Sequence, residues 1–306
     1  MGISDRTETF FGKRVQDYQG GDIAVAPGVV HRLHLKYNDE SMGVLLEEYL
    51  SKIDTSSLEA LILGAWPETQ DTGPDDAFNV LIKHASKLTG LKALFVGDMT
   101  SYECEISWII QGNYGPLLQA FPSLEVLCIR GANSLELPAF SHATLRELTI
   151  ESAGLPREVN ESLAQSTLPS LERLELWLGT DEYGFKGDVD LVRSVLQQLR
   201  TPKLRHIGLR DSEITDSLAV WLATESWVAD LDTLDLSLGT LGDEGAAALL
   251  ASPYVAKLKR LDLSHHYISE PLQAQLRAAI PGVVLDDPQE EDEYDGERWR
   301  FVAVHE

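Results

Sequence analysis

Asp235 and Asp262 are the residues whose type and spacing come nearest to chemistry. They stand 27 residues apart in two copies of one pattern, Leu231-Asp-Thr-Leu234-Asp-Leu236 and Leu258-Lys-Arg-Leu261-Asp-Leu263, and His265-His266 follows the second copy. On neighbouring strands the two carboxylates would lie about 4.8 Å apart, close enough for each to disturb the ionisation of the other. With His265 as a third group they would form a minimal metal or acid/base site. The competing reading is that each Asp fills a polar strand position and pairs with Arg260 or Arg210. Trp66 and Trp177 follow strands at the rim of the same surface, as binding anchors or as packing residues. The chain has no P-loop, GxSxG, HExxH or CxxC, and Glu103-Cys104-Glu105 lacks metal-ligand spacing. Catalytic, cofactor and metal sites are accordingly expected to be absent.

These residues are positioned by a hexad, LxxLxL with Val or Ile allowed. It starts at Val30, Leu58, Leu91, Leu124, Leu145, Leu171, Leu204, Leu231, Leu258 and Ile280. Most intervals run from 26 to 33 residues, which leaves room for a strand, a helix of two to four turns and two loops. The pattern predicts an α/β leucine-rich-repeat solenoid, right-handed, with about ten parallel strands on the concave face and helices on the convex face. Helices are expected over 40–52, 77–88, 188–199, 216–223, 243–251 and 270–279, whereas Pro138, Pro156 and Pro169 predict short or irregular returns between Leu135 and Leu171.

The hexad also gives a surface map. Its first, fourth and sixth residues point into the core, and the third and fifth point out of the concave sheet. The third places read Arg32, Ala60, Ala93, Val126, Glu147, Arg173, His206, Thr233 and Arg260. The fifth read His34, Ile62, Phe95, Cys128, Thr149, Glu175, Gly208, Asp235 and Asp262. Ala60, Ile62, Ala93, Phe95, Val126 and Cys128 thus form an apolar zone, while Arg173, Glu175, Asp235, Arg260 and Asp262 belong to a charged one. An exposed apolar zone marks a contact site, unless Pro67 to Gly73 or the N-terminal segment folds over it.

Residues 1–28 are expected to form an N-terminal cap containing Phe10, Phe11, Val15 and Ile23, and 29–285 the repeat domain. In 286–306, an acidic run is expected to be a mobile loop, from which Trp299 to Val304 returns to seal the last repeat. A chain of 306 residues would ordinarily divide into two domains, but stacked repeats escape that limit. The net charge of −24 disfavours nucleic acid, since phosphate neutralisation needs clustered cations. The absence of a signal-like start or a long apolar run predicts a cytoplasmic protein without membrane contact, and Cys104 and Cys128 are expected as reduced thiols.

Several longer stretches carry a family resemblance: VGDMTSYECEISWI from Val96, LELWLGTDEYG from Leu174, Gly208 to Ile214, LDLSLGTLGDEGAAALLAS from Leu234, and Arg300 to Glu306. Over nearly the whole chain the sequence resembles a bacterial leucine-rich-repeat family without an assigned activity. That resemblance implies a place beside a modification or biosynthetic enzyme, and carries no site residues. More broadly, Asp243-Glu-Gly-Ala-Ala-Ala248 after its hexad is similar to ribonuclease-inhibitor-type repeats. The asparagine of that pattern is kept only at Asn38, so a continuous asparagine ladder is not expected.

The function expected from these observations is a non-catalytic protein-interaction scaffold. Its partner would be another protein, basic or an enzyme of the same pathway, held through Ile62, Trp66, Phe95, Val126, Cys128, Arg173, Glu175, Trp177, Asp235 and Asp262. An accessory subunit of such an enzyme, or a hydrolase-like site at the Asp and His residues, are the alternatives.

Overall fold

Leucines at every second or third place within each hexad bury one side of a short strand, and the loop that follows turns the chain into a helix that covers that side. In the computed structural model, which describes residues 6–21, 28–36, 40–294 and 296–304, this unit recurs in mixed α/β form. Ile23 and Asn38 lie outside the described residues. The chain divides into two units, 2–151 with 165–171 and 152–164 with 172–306.

The first unit holds β1 (Thr9–Phe10), β2 (Lys13–Tyr18), β3 (Val30–Leu33), β4 (Ala60–Leu63), β5 (Ala93–Val96), β6 (Val126–Arg130) and β7 (Glu147–Glu151). Each pairs with the next in chain order, β1 with β2 antiparallel and the others parallel. Helices α1 (Met42–Ser51), α2 (Asp75–His84) and α3 (Gly115–Ala120) lie between them in sequence. Ser41 caps α1 by accepting the Val44 N–H, and Asp76 of α2 reaches across to accept the Gly43 N–H. A carboxylate at one helix start thus holds the start of the neighbouring helix, where exposed N–H groups favour negative charge.

The second unit contains α4 (Arg157–Leu163), β8 (Arg173–Gly179), α5 (Val189–Leu199), β9 (His206–Ser212), α6 (Thr215–Leu222), β10 (Thr233–Asp235), α7 (Asp243–Ala251), β11 (Arg260–Asp262), α8 (Glu270–Ala279) and β12 (Val283–Val284). Strands β8 to β12 are parallel and adjacent in chain order. Asp216 at the start of α6 accepts the N–H groups of Gly242 and Gly245 at the start of α7, and Asp243 accepts that of Ser269 before α8. Leu174, Leu176, Ile207, Leu209, Leu234 and Leu261 are fully buried. The six expected helices are present with ends shifted by a few residues, and the return through Pro156 is the short α4.

The predicted register holds in most repeats. Ala60 pairs with Ala93, Ala93 with Val126, Val126 with Glu147, Arg173 with His206, His206 with Thr233 and Thr233 with Arg260. The first hexad is displaced by two residues: Arg32 pairs with Ile62 and takes the fifth place, so the assignments of Arg32 to the third place and His34 to the fifth are corrected. The buried fourth place of that repeat is His31, packed against Tyr18 and Tyr49. A histidine where the pattern demands an aliphatic residue is what shifted the match.

The closing segment also departs from expectation. The acidic run contains an antiparallel hairpin, β13 (Asp292–Tyr294) with β14 (Glu297–Trp299), rather than an irregular loop. Residues 300–304 do not extend the sheet at β12. They run back across the loops after β11 and β10 and the end of β9, where Val304 N donates to the Asp211 carboxylate at 2.9 Å.

Candidate functional site

In the first unit the apolar zone is not an open surface. Phe10, on the β1–β2 hairpin, packs in one cluster with Val30, Ala60, Ile62, Ala93, Phe95 and Val126, and Phe11, Val15 and Cys128 border it. The Phe10 and Phe95 ring centroids are 6.0 Å apart, and Phe95 is 4% exposed. Ile62, Phe95 and Val126 are therefore corrected from candidate partner contacts to core residues, with Cys128 partly buried at their border. The physical reason is that a sheet face rich in aliphatic side chains gains more from burial under Phe10 than from hydration.

Beside that cluster lies a buried charge network. Asp98 is fully buried and receives Arg32 Nε at 2.7 Å and Arg130 Nη1 at 3.3 Å. Arg32 also reaches Asp17 and the Thr7 carbonyl, while Arg130 reaches Glu151 and the Met99 carbonyl and lies over the Phe95 ring. Arg6 bridges Asp17 and Glu103. This network fastens the N-terminal segment onto the sheet. Trp66 is buried and its Nε1 donates to the Thr72 carbonyl, a packing role rather than a rim anchor.

The second unit presents the charged face. Arg173, Glu175 and Trp177 alternate along β8, with His206, Gly208 and Arg210 opposite them on β9. Glu175 is the hub, 4% exposed. It accepts from Arg173 Nη2, Arg210 Nη1 at 2.9 Å and Trp177 Nε1 at 3.2 Å; His206 Nε2 lies 3.4 Å away without hydrogen-bond geometry. Burial alone would raise its pKa, but His206, Arg210 and Arg173 hold it far below the usual carboxylate range. Gly208 makes the hub possible, because a Cβ there would stand 2.9 Å from Glu175 Cγ. The Arg210 guanidinium lies 4.9 Å from the Trp177 ring centroid.

Asp235 and Asp262 are in register on β10 and β11. Each is tied to its own partners. Asp235 lies 3.6 Å from Arg210 Nε and accepts the Ser237 N–H. Asp262 receives Arg260 Nη2 at 2.6 Å and both the N–H and hydroxyl of Ser264. Burial opposes its ionisation, yet the Ser264 and Arg260 bonds leave its pKa lowered. His265 turns away from both, toward Asp287 and the Phe301 carbonyl. Among the described residues no three His, Cys, Asp or Glu side chains gather as metal ligands, and no helix is long and apolar enough to cross a membrane.

Three residues beyond the candidate contacts shape this region. His206 stood in the third-place column without a motif, and Arg210, just past its hexad, entered only as a pairing partner for the aspartates. Asp211 had no signal of its own: it is fully buried, left-handed at φ 51°, and among the described residues its Oδ2 has no hydrogen-bond partner. Burial pushes its pKa up to about 8 against the pull of the Val304 N–H and Arg210. The native state therefore binds a proton that the unfolded chain releases near pH 4. Its stabilising contribution is complete below that pH and is lost as pH rises through about 8. Asp211→Asn keeps an acceptor for Val304 and cannot ionise. Its stability advantage over the wild type is expected to grow with pH to on the order of 2 kcal/mol by pH 9, measured by urea unfolding at pH 5, 7 and 9.

The fold and this face define an α/β repeat protein with a mostly parallel sheet. The chain is similar to a crystal structure of a Bacteroides fragilis protein at 29% identity, with a TM-score of 0.79 over 89% of this chain and 76% of that one. No protein-family model matches the chain, and no curated protein matches it.

Proposed function

We propose that the chain is a leucine-rich-repeat protein of the ribonuclease-inhibitor-like type, acting as a non-catalytic scaffold that holds another protein on the charged face of β8 to β11. The observation that carries this reading is the ordered lattice on that face. Arg173, Glu175, Trp177, Arg210, Asp235, Arg260 and Asp262 are fixed by mutual ion pairs and by Arg210 stacking, while the outer ends of Arg173 and Arg260 remain in solvent. Such a surface is already organised for polar recognition and loses little side-chain freedom on binding. The net charge of −24 would steer a basic partner toward the chain, leaving the lattice to determine register. The columns of equivalent residues, in register from Arg173 to Arg260, support the repeat assignment.

The test is affinity purification from the native host with wild-type bait and with the Arg173→Ala/Arg260→Ala double variant. A partner retained by the wild type should be lost or reduced at least tenfold with the variant, whose melting temperature should stay within a few degrees of the wild type. A partner held equally by both baits, or none held by the wild type, overturns the reading.

A further inference from the structure

Asp211, Leu238 and His265 occupy the same place in three successive repeats, spaced by 27 residues. All three are left-handed, at φ 51°, 67° and 61°. In the preceding strand the left-handed residue is Gly179, which adopts φ 71° without steric cost at the end of β8, in register with Ser212. Side-chain-bearing residues held there are strained, and such strain persists where the surroundings demand it. Their N–H groups are used in a continuing ladder: Asp211 N to Ser237 O, Leu238 N to Ser264 O and His265 N to Asp286 O. What they offer outward is taken up by one extended segment.

That segment is 300–304. His265 Nε2 donates to the Phe301 carbonyl at 3.1 Å, the Leu238 carbonyl accepts Ala303 N at 2.8 Å, and Asp211 Oδ1 accepts Val304 N at 2.9 Å. The Tyr267 hydroxyl donates to the Phe301 carbonyl and accepts the Phe301 N–H. Alternate side chains are treated differently: Val302 and Val304 are buried, and Phe301 is exposed. Arg300 is held by Asp216 at 2.9 Å and by Glu291 at 2.7 Å, and its guanidinium lies over the Tyr267 ring. It fills a notch left open by Gly242, where a Cβ would come within 2.0 Å of Arg300 Nη1.

We propose that the row Asp211, Leu238 and His265, with Asp216, Gly242 and Tyr267, is a recognition site for an extended peptide carrying an arginine followed by apolar residues at the second and fourth places, and that 300–304 occupies it as an intramolecular stand-in. Strands β9 to β11 have their sheet partners without the segment. Two buried valines and a few backbone bonds act against the ordering of five residues, which leaves a small net docking free energy. A partner segment of the same chemistry can therefore displace it, as extended peptides dock elsewhere through main-chain bonds and alternate side-chain pockets. The site lies at the strand ends and does not depend on the sheet-face reading.

The test uses the full chain and a labelled peptide of sequence RWRFVAV, that of residues 298–304. In the Arg300→Ala/Val302→Asp/Val304→Asp variant the site is vacated, and the peptide should bind saturably. A peptide with both arginines changed to glutamine and both valines to aspartate should bind at least tenfold more weakly, and so should the wild-type chain toward the original peptide. Absence of binding to a variant that melts like the wild type, or equal binding of both peptides, overturns the proposal. If the variant does not fold, hydrogen exchange on the wild type decides. The amides of Phe301, Ala303 and Val304 should exchange at least 100-fold faster than those of Leu236 and Leu261. Equal rates would make the segment an integral part of the folded unit and sink the idea.

Discussion

Phe95→Ala is expected to cost about 3–5 kcal/mol of folding stability, the range for deleting a buried aromatic ring. On an exposed sheet face the same change would cost within about 0.5 kcal/mol, so the two descriptions of the apolar zone differ severalfold in one measurement. The larger value follows from what touches the ring. Phe10 lies on it from the β1–β2 hairpin, Ile62 and Cys128 flank it on the adjacent strands, and the Arg130 guanidinium lies 5.3 Å from its centroid. Truncation leaves a cavity that cannot collapse, because Arg130 is anchored by Asp98, Glu151 and the Met99 carbonyl. Urea unfolding gives the number. Phe10→Ala supplies the companion result: with the cover reduced, the zone should bind a hydrophobic dye such as ANS, which the wild type should not. A loss for Phe95→Ala below about 1 kcal/mol would show that the hairpin does not seal the face.

The contrast between the two zones explains what could be read from the residues alone. Leucine at the inward places of each hexad sets the strands and most of the register, because burial of one strand side is a local, periodic demand. His31 broke the match in the first repeat, since only its stacking with Tyr18 and Tyr49 makes a histidine acceptable there. The apolar column Ile62, Phe95 and Val126 was legible, and so was Phe10-Phe11 as a capping pair. Their meeting was one of the alternatives left open, and the residues could not choose it because it depends on a non-local hairpin.

The charged face was legible as a list of outward residues, but its connectivity was hidden. Glu175 lies over Gly208, opposite it on β9, where a Cβ would crowd its Cγ at 2.9 Å, and from there it reaches Arg210. The row Asp211, Leu238 and His265 was invisible for a different reason. Nothing in the residue types announces a left-handed backbone, and the reason for it, the segment 300–304, lies between 36 and 93 residues away in the hydrogen bonds that join them.

Removal of the Glu175 carboxylate is expected to be the most damaging single change on the charged face. Taking one partner from a buried ion network costs about 3–5 kcal/mol because the charges left behind remain desolvated; since the outer ends of Arg173 and Arg210 reach water, Glu175→Ala should cost somewhat less, about 2–4 kcal/mol. Three donors lose their acceptor at once: Arg173 Nη2, Arg210 Nη1 and Trp177 Nε1. Two guanidinium groups are then left on β8 and β9 without that carboxylate, Arg210 with Asp235 3.6 Å from its Nε. The pH dependence separates this cause from simple loss of packing. Because the native pKa of Glu175 is lowered, its stabilising contribution is fully present above the ordinary glutamate value of 4.5 and is lost as pH falls through the native one. The wild-type advantage over Glu175→Ala should thus be constant from pH 6 to 8 and shrink only in acid below pH 4. Glu175→Gln, which keeps the shape and one acceptor, should lose less at pH 7 and show the same convergence in acid. A gap that stays constant down to pH 2 would mean that the side chain stabilises the face by its bulk, and that the ion network holding Arg173 and Arg210 adds nothing.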